Sequence, residues 1–154
     1  MATPGVSTLG VKFSWGAAGD TAPVSFTLLT RINSIGEISL ETEQIDASAL
    51  EDMITRYVSG RADTGGSVDI GVNATDATIT EWEAVFAASQ ADTTGGGLWF
   101  QVVSPYHTKS FMFRAQTPTK FPMPAFEQNS LEVVTIPLTI TDYVGLSTKV
   151  EPTA

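Results

Sequence analysis

The sequence predicts a mainly β fold, α+β by element count, in which a β-sandwich or barrel-like body carries one flanking α-helix. Three observations predict it. Short runs of alternating apolar and polar residues recur along the chain, as at Leu9-Val11-Phe13-Trp15 and Val68-Ile70-Val72, and period two marks a half-buried strand. One stretch, 79–90, spaces its apolar residues as a helix does. Thirteen glycines and eight prolines punctuate the chain, chiefly between these runs, where turns are needed. At 154 residues one domain, 1–154, is expected, large enough to bury about 68–70% of the surface its unfolded chain exposes.

The first strand is expected at 9–15, with Gly10, Lys12 and Ser14 on its polar face, and residues 16–23 break it. The second is 24–30 (VSFTLLT). A third is expected at 35–42, with Ile38 and Leu40 on one face and Glu37, Ser39 and Glu41 on the other; Glu43 continues that polar parity. Residues 44–66 have no clean period beyond room for one turn of helix at 50–57. A connection of that length inside a compact domain is uncommon, and is functional or flexible where it occurs. Val68, Ile70 and Val72 restore alternation.

The helix follows at 79–90. Thr78 with Glu81 three residues on fits a capping box, Asp76 is an alternative cap, and Ile79, Trp82, Val85 and Phe86 form the apolar stripe. Gly95, Gly96 and Gly97 make a flexible turn before a hairpin of strands at 98–104 and 109–116. Residues 117–126 contain Pro118, Pro122 and Pro124, and so run extended and stiff. The last strand is expected at 130–142, with Pro137 at an edge or bulge because it cannot donate a ladder bond. Residues 1–8 and 145–154 read as arms without cores of their own.

Charge and composition remove whole classes of chemistry. Seventeen acidic against eight basic residues leave a net charge of -9, which repels nucleic-acid backbones; an acidic wall would instead let a duplex slide past without adhering. There is no cysteine, hence no disulfide, thiolate metal site or cysteine nucleophile. No basic start with an apolar run opens the chain, and no stretch nears the roughly 20 apolar residues of a membrane span. The single histidine, His107, lies by Ser104, Thr108 and Ser110 in a hairpin turn without a nucleophile elbow. Asp63-Thr64-Gly65 matches the short triplet of aspartic proteases but follows Gly60-Arg61-Ala62 instead of a hydrophobic strand, so Asp63 is expected to accept a local backbone bond. Glu41 with Glu43, or Glu51 with Asp52, lacks the aromatic platform of a sugar site. Asp63, Asp69 and Asp76 match no calcium loop. No catalytic, cofactor-binding or metal-binding residue is expected.

The order from 35 to 73 is an acidic strand, the turn Ile45-Asp46-Ala47-Ser48, a mixed loop, Gly60-Arg61-Ala62-Asp63-Thr64-Gly65-Gly66, and an alternating strand. It resembles the tail tube (major tail) proteins of long-tailed, non-contractile bacteriophages. The turn is similar to that family's Ile/Val-Asp-Val-Thr, with Ala47 for a larger residue. The glycine segment is similar to its Gly-Leu-x-Asp-x-Gly loop, with Ala62 departing from it. The resemblance implies a structural virion protein, made in the host cytoplasm, that stacks as hexameric rings into a hollow tube for DNA. Its implied partners are other copies of itself, the tail tip or initiator, tape measure and terminator proteins, and DNA passing without specific binding; no membrane is implied. It further implies that the terminal arms join rings. The loop at 44–66, with Ile45, Asp46, Leu50, Met53, Tyr57, Arg61 and Asp63, would reach a neighbouring subunit. The shared parity of Glu37, Glu41 and Glu43, with no Lys or Arg between Arg31 and Arg56, adds the expectation that these three carboxylates line the channel. The competing reading is a monomeric all-β module for carbohydrate or a receptor, which would cluster its aromatics on loops; here they fall mostly on strand and helix positions.

Overall fold

The computed structural model describes residues 5, 7–63 and 65–153. Much of the arm expected at 1–8, with Thr64 and Ala154, lies outside the described residues. Nine strands and one helix follow in order among them: β1 (Lys12–Gly16), β2 (Thr27–Leu29), β3 (Ile32–Ile35), β4 (Glu41–Asp46), β5 (Tyr57–Asp63), β6 (Ser67–Asn73), α1 (Asp76–Gln90), β7 (Leu98–Val103), β8 (Lys109–Gln116) and β9 (Val133–Thr148). The fold is mainly β with one helix, the class the sequence predicts. No helix among the described residues is long and apolar enough to cross a membrane.

Seven strands form one antiparallel sheet in the order β2-β1-β7-β8-β9-β6-β3, and β4 and β5 form a second sheet of two. The edge strands β2 and β3 are consecutive in sequence, separated by Thr30 and Arg31. In a flat sheet six spacings of about 4.8 Å would put them about 29 Å apart, yet the chain from Leu29 to Ile32 spans at most about 11 Å. The large sheet is therefore rolled into an open barrel. Arg31 turns the corner with a left-handed φ of 57°. Its carbonyl accepts the Asn73 N–H at 3.0 Å, which ties the corner to the end of β6.

The inward face explains the alternation. Val68, Ile70 and Val72 of β6 lie directly opposite Leu138, Ile136 and Val134 of β9, and all six are buried. Phe100 stacks between Phe13 and Phe113 with ring centroids 5.5 and 5.6 Å away, linking β1, β7 and β8. Pro137 follows from the same ladder. The Asp69 carbonyl points to Gly36 on the β3 side at 2.8 Å. The Asp69–Pro137 pair therefore exchanges no bonds, and the missing N–H of Pro137 faces the side that β8 reaches only at Thr139.

Helix α1 begins three residues before the expected position. Thr75 is the N-cap: the Thr78 N–H donates to Thr75 Oγ1 at 3.3 Å and the Thr75 N–H donates to Thr78 Oγ1 at 2.8 Å. Glu81 is thereby free of capping. Its carboxylate accepts from the Thr30 N–H at 3.2 Å and the Thr30 hydroxyl at 3.0 Å, which fixes the helix to the β2–β3 corner. Trp82, Val85 and Phe86 are buried in the barrel, Ile79 is half-buried, and the Trp82 ring stacks on Phe13 at 6.3 Å. The helix closes the barrel end where β3 starts and β6 finishes.

The expected arm at 145–154 is largely a docked strap. Strand β9 continues to Thr148, and the Thr153 N–H donates to the Phe26 carbonyl at 2.9 Å while its own carbonyl accepts the Leu28 N–H at 2.8 Å. Between them, buried Gln101 treats Val150 as a strand neighbour: its Nε2 donates to the Val150 carbonyl at 2.6 Å and its Oε1 accepts the Val150 N–H at 3.2 Å. Val150 packs on a small outer cluster of Phe26, Trp99 and Met112.

Candidate functional site

The second sheet is where the described residues depart most from an ordinary soluble surface. All six residues of β4 are exposed, as are all of β5 except half-buried Gly60. The sequence predicts a loop here with a turn of helix near 50–57; the structure instead forms a hairpin. Ile45 faces Val58, Asp46 faces Tyr57, and Glu41 faces Asp63, with one additional residue bulged into β5 near Gly60 and Arg61. The pattern was invisible because neither face is covered by the chain itself, so no apolar alternation is required. The available signal was the β-favouring content of Thr42, Ile45, Tyr57 and Val58.

The acidic strand expected at 35–42 is not one strand. Gly36 makes the last ladder bond of β3, after which Ile38 turns onto the core while Leu40 stays 53% exposed. Ile38 and Leu40 therefore do not anchor a common face, and Glu37 lies outside β4. Glu41, Glu43 and Ile45 do alternate along β4 and so share one of its faces. Of the residues expected in the loop, Ile45 and Asp46 are on β4, Leu50 and Met53 at the tip, and Tyr57, Arg61 and Asp63 on β5.

The tip, 47–56, is stiffened by its own polar groups. The Ala47 N–H donates to the Arg56 carbonyl at 2.8 Å, and the Ser48 hydroxyl accepts the Arg56 N–H at 2.7 Å. The Asp52 carboxylate accepts the Ala49 N–H at 2.8 Å and pairs with Arg56 at 3.3 Å. Asp46 Oδ1 accepts the Ser48 N–H at 2.9 Å, and this bond, with one from the Ser48 side chain, holds the carboxyl below the ordinary aspartate value. With its polar groups turned to local bonds, the tip presents Leu50, Met53 and Ile54 at 109%, 100% and 80% exposure. Ile54 and Val58 were missed by sequence reasoning, since without a period there was no way to tell an apolar residue turned outward from one turned in; Leu40, placed with Ile38 on one face of a strand, stands exposed instead.

A second feature is concave. An apolar cleft of about 590 Å³ opens between β3 with Ile38 and the inward side chains of Val102, Phe111 and Tyr143. The hairpin springs from the rim of this cleft, since Ile38 lines it and β4 begins at Glu41.

The residues weighed for catalysis do not converge. His107 is exposed in the β7–β8 turn, its N–H donates to the Ser104 carbonyl at 3.3 Å, and its ring meets Phe111 edge-on at 6.4 Å. The Ser104 hydroxyl instead accepts the Tyr106 N–H. Asp63 accepts the Gly65 N–H at 2.9 Å, the local turn bond its context suggests. Among the described residues no group of three or more His, Asp or Glu is arranged to hold a metal ion.

No protein-family model matches the chain, and no curated protein matches it. Solved structures do. One chain of a structure described as the tail of an empty GTA particle, with helical refinement and C6 symmetry, superposes with a TM-score of 0.61 at 15% identity, covering 94% of this chain and 99% of that one. The two share a fold. A chain of the anti-feeding prophage (AFP) baseplate, 6-fold symmetrised, superposes with a TM-score of 0.55 at 16% identity, covering 92% of this chain and 95% of that one. Since nearly all of each chain is covered, the likeness extends over the whole rolled sheet and helix, not to one motif.

Proposed function

We propose that this chain is a structural, non-enzymatic subunit of a phage-like tail, which assembles with copies of itself into stacked hexameric rings that form a hollow tube for DNA. The carrying observation is the β4–β5 hairpin, a preorganised element that contributes nothing to its own barrel and holds three large apolar side chains in water. Its likeness in fold to chains of two six-fold particles supports the same reading.

Energetics favour a closed assembly over a pair. Full burial of Leu50, Met53 and Ile54 at about 1.5–3 kcal/mol each yields about 5–9 kcal/mol, against about 4–15 kcal/mol for lost freedom on association. One contact is marginal. A ring, in which each subunit gives one tip and receives another, adds contacts without a proportional loss of freedom.

In this reading Glu41 and Glu43 face the channel. Glu41 stands opposite Asp63, and directly opposed like charges destabilise a hairpin, so the pairing suits a surface selected for charge. A wall of repeated carboxylates repels phosphate and keeps a duplex from adhering. Glu37 lies off the strand and is a lesser contributor. The tail tip, tape measure and terminator proteins are the further partners of a tube, and the virion is its location.

The test is the triple variant Leu50→Asp, Met53→Asp, Ile54→Asp beside the natural chain in sedimentation velocity, each with and without a tail initiator complex. The natural chain is expected to form large species, at least with the initiator. The variant should keep the circular dichroism of the natural chain and, at concentrations where both are monomeric, its melting temperature, yet sediment as a monomer where the natural chain assembles. Assembly of the variant at the natural level would refute the hairpin's role.

A further inference from the structure

We infer that the hairpin tip of one copy docks in the apolar cleft of the next, with Leu50, Met53 and Ile54 seated against Ile38, Val102, Phe111 and Tyr143 of its neighbour. This deepens the assembly reading and rests on it.

The cleft and the tip are complementary surfaces of a single chain, one concave and one protruding. The chain cannot satisfy itself. The hairpin starts at the cleft's own rim, and six strand residues at about 3.3 Å each carry the tip about 20 Å away. The β4–β5 ladder and the bonds within 47–56 hold it extended, so it does not fold back. Another copy supplies the occupant that the geometry denies to the same molecule.

Charge points the same way. Residues 41–63 contain six acidic residues (Glu41, Glu43, Asp46, Glu51, Asp52, Asp63) and two basic ones (Arg56, Arg61), so 2 − 6 gives a net charge of −4. Lys109 lies two residues ahead of Phe111 on β8, hence on the cleft side of the sheet, and is exposed. It offers a cation to the incoming Glu51, offset in part by Glu37 beside Ile38. The contact joins two different patches, so it is head-to-tail and propagates from subunit to subunit, closing where the rotation allows. A stiff tip loses little freedom on seating.

The absence of cysteine from the chain makes cross-linking specific. Single variants Met53→Cys and Phe111→Cys are mixed under assembling conditions and oxidised, with Val102→Cys as a second cleft position. Phe126→Cys, on another exposed apolar segment, is the control. Met53 is expected to couple to 111 or 102 at least tenfold faster than to 126, and the Met53→Cys, Phe111→Cys double variant should give a covalent ladder. Equal or faster coupling to 126 in samples that still form large species would overturn the cleft assignment and leave the assembly reading standing. Samples with no large species, even with an initiator, would overturn both.

Discussion

Trp82 is fully buried, stacked on Phe13 and edge-on to Phe86, and its indole N–H has no hydrogen-bond partner among the described residues. A buried donor without a partner is a cost, so the ring and the N–H act in opposite directions. Trp82→Phe keeps the stack and removes the orphan, and is expected to change stability by no more than about 1.5 kcal/mol in urea unfolding. Trp82→Ala should cost about 3–5 kcal/mol. A loss for Trp82→Phe as large as that for Trp82→Ala would contradict the view that the ring stack, not the indole N–H, carries the stability. Trp82, Val85 and Phe86 were legible because helical spacing is written locally. The role of Glu81 was not, since its partner Thr30 is 51 residues away and brought near only by the rolled sheet. The cap at Thr75 was hidden for another reason: Thr75 and Thr78 form a box with hydroxyls alone, without the Glu or Gln that usually marks one.

Among the elements, β7, β8 and α1 stand close to where alternation and spacing put them, because each buries one face or stripe in the core. Strand β9 runs six residues past its expected end. Its pairing with β8 skips Thr141 and Val144, and each skip resets the parity that would have marked the strand as continuing. The strap after it was illegible because one side chain, Gln101, supplies what a neighbouring strand would. Gln101→Leu leaves the Val150 N–H and carbonyl without those partners and takes an acceptor from the buried Ser110 hydroxyl. The expected loss is about 1–3 kcal/mol per group left buried and unpaired, with faster hydrogen exchange at the Val150 amide than at Ile70. Unchanged exchange at Val150 would show that the strap is held without Gln101. The hairpin β4–β5 was misread as a loop because sequence patterns record what a chain buries in itself, and this element has nothing of its own to bury against.

Across the whole molecule, an open apolar cleft along β3 and a hairpin that protrudes from its rim leave one chain with both a hole and a knob. A net charge of -9 opposes close packing of copies, so the proposed apolar tip contact would have to offset mutual repulsion, more easily once salt screens it. In the proposed tube the acidic face of β4 lies where repulsion is useful, on the wall of the channel. Electron microscopy of the assembled natural chain, with six-fold averaging, examines all of this at once. The expected map has stacked, hollow six-fold rings, each β4–β5 hairpin buried against an adjacent subunit, and Glu41 and Glu43 on the inner wall. Solid particles without a channel, or rings in which the hairpin stands free in solvent, would contradict it.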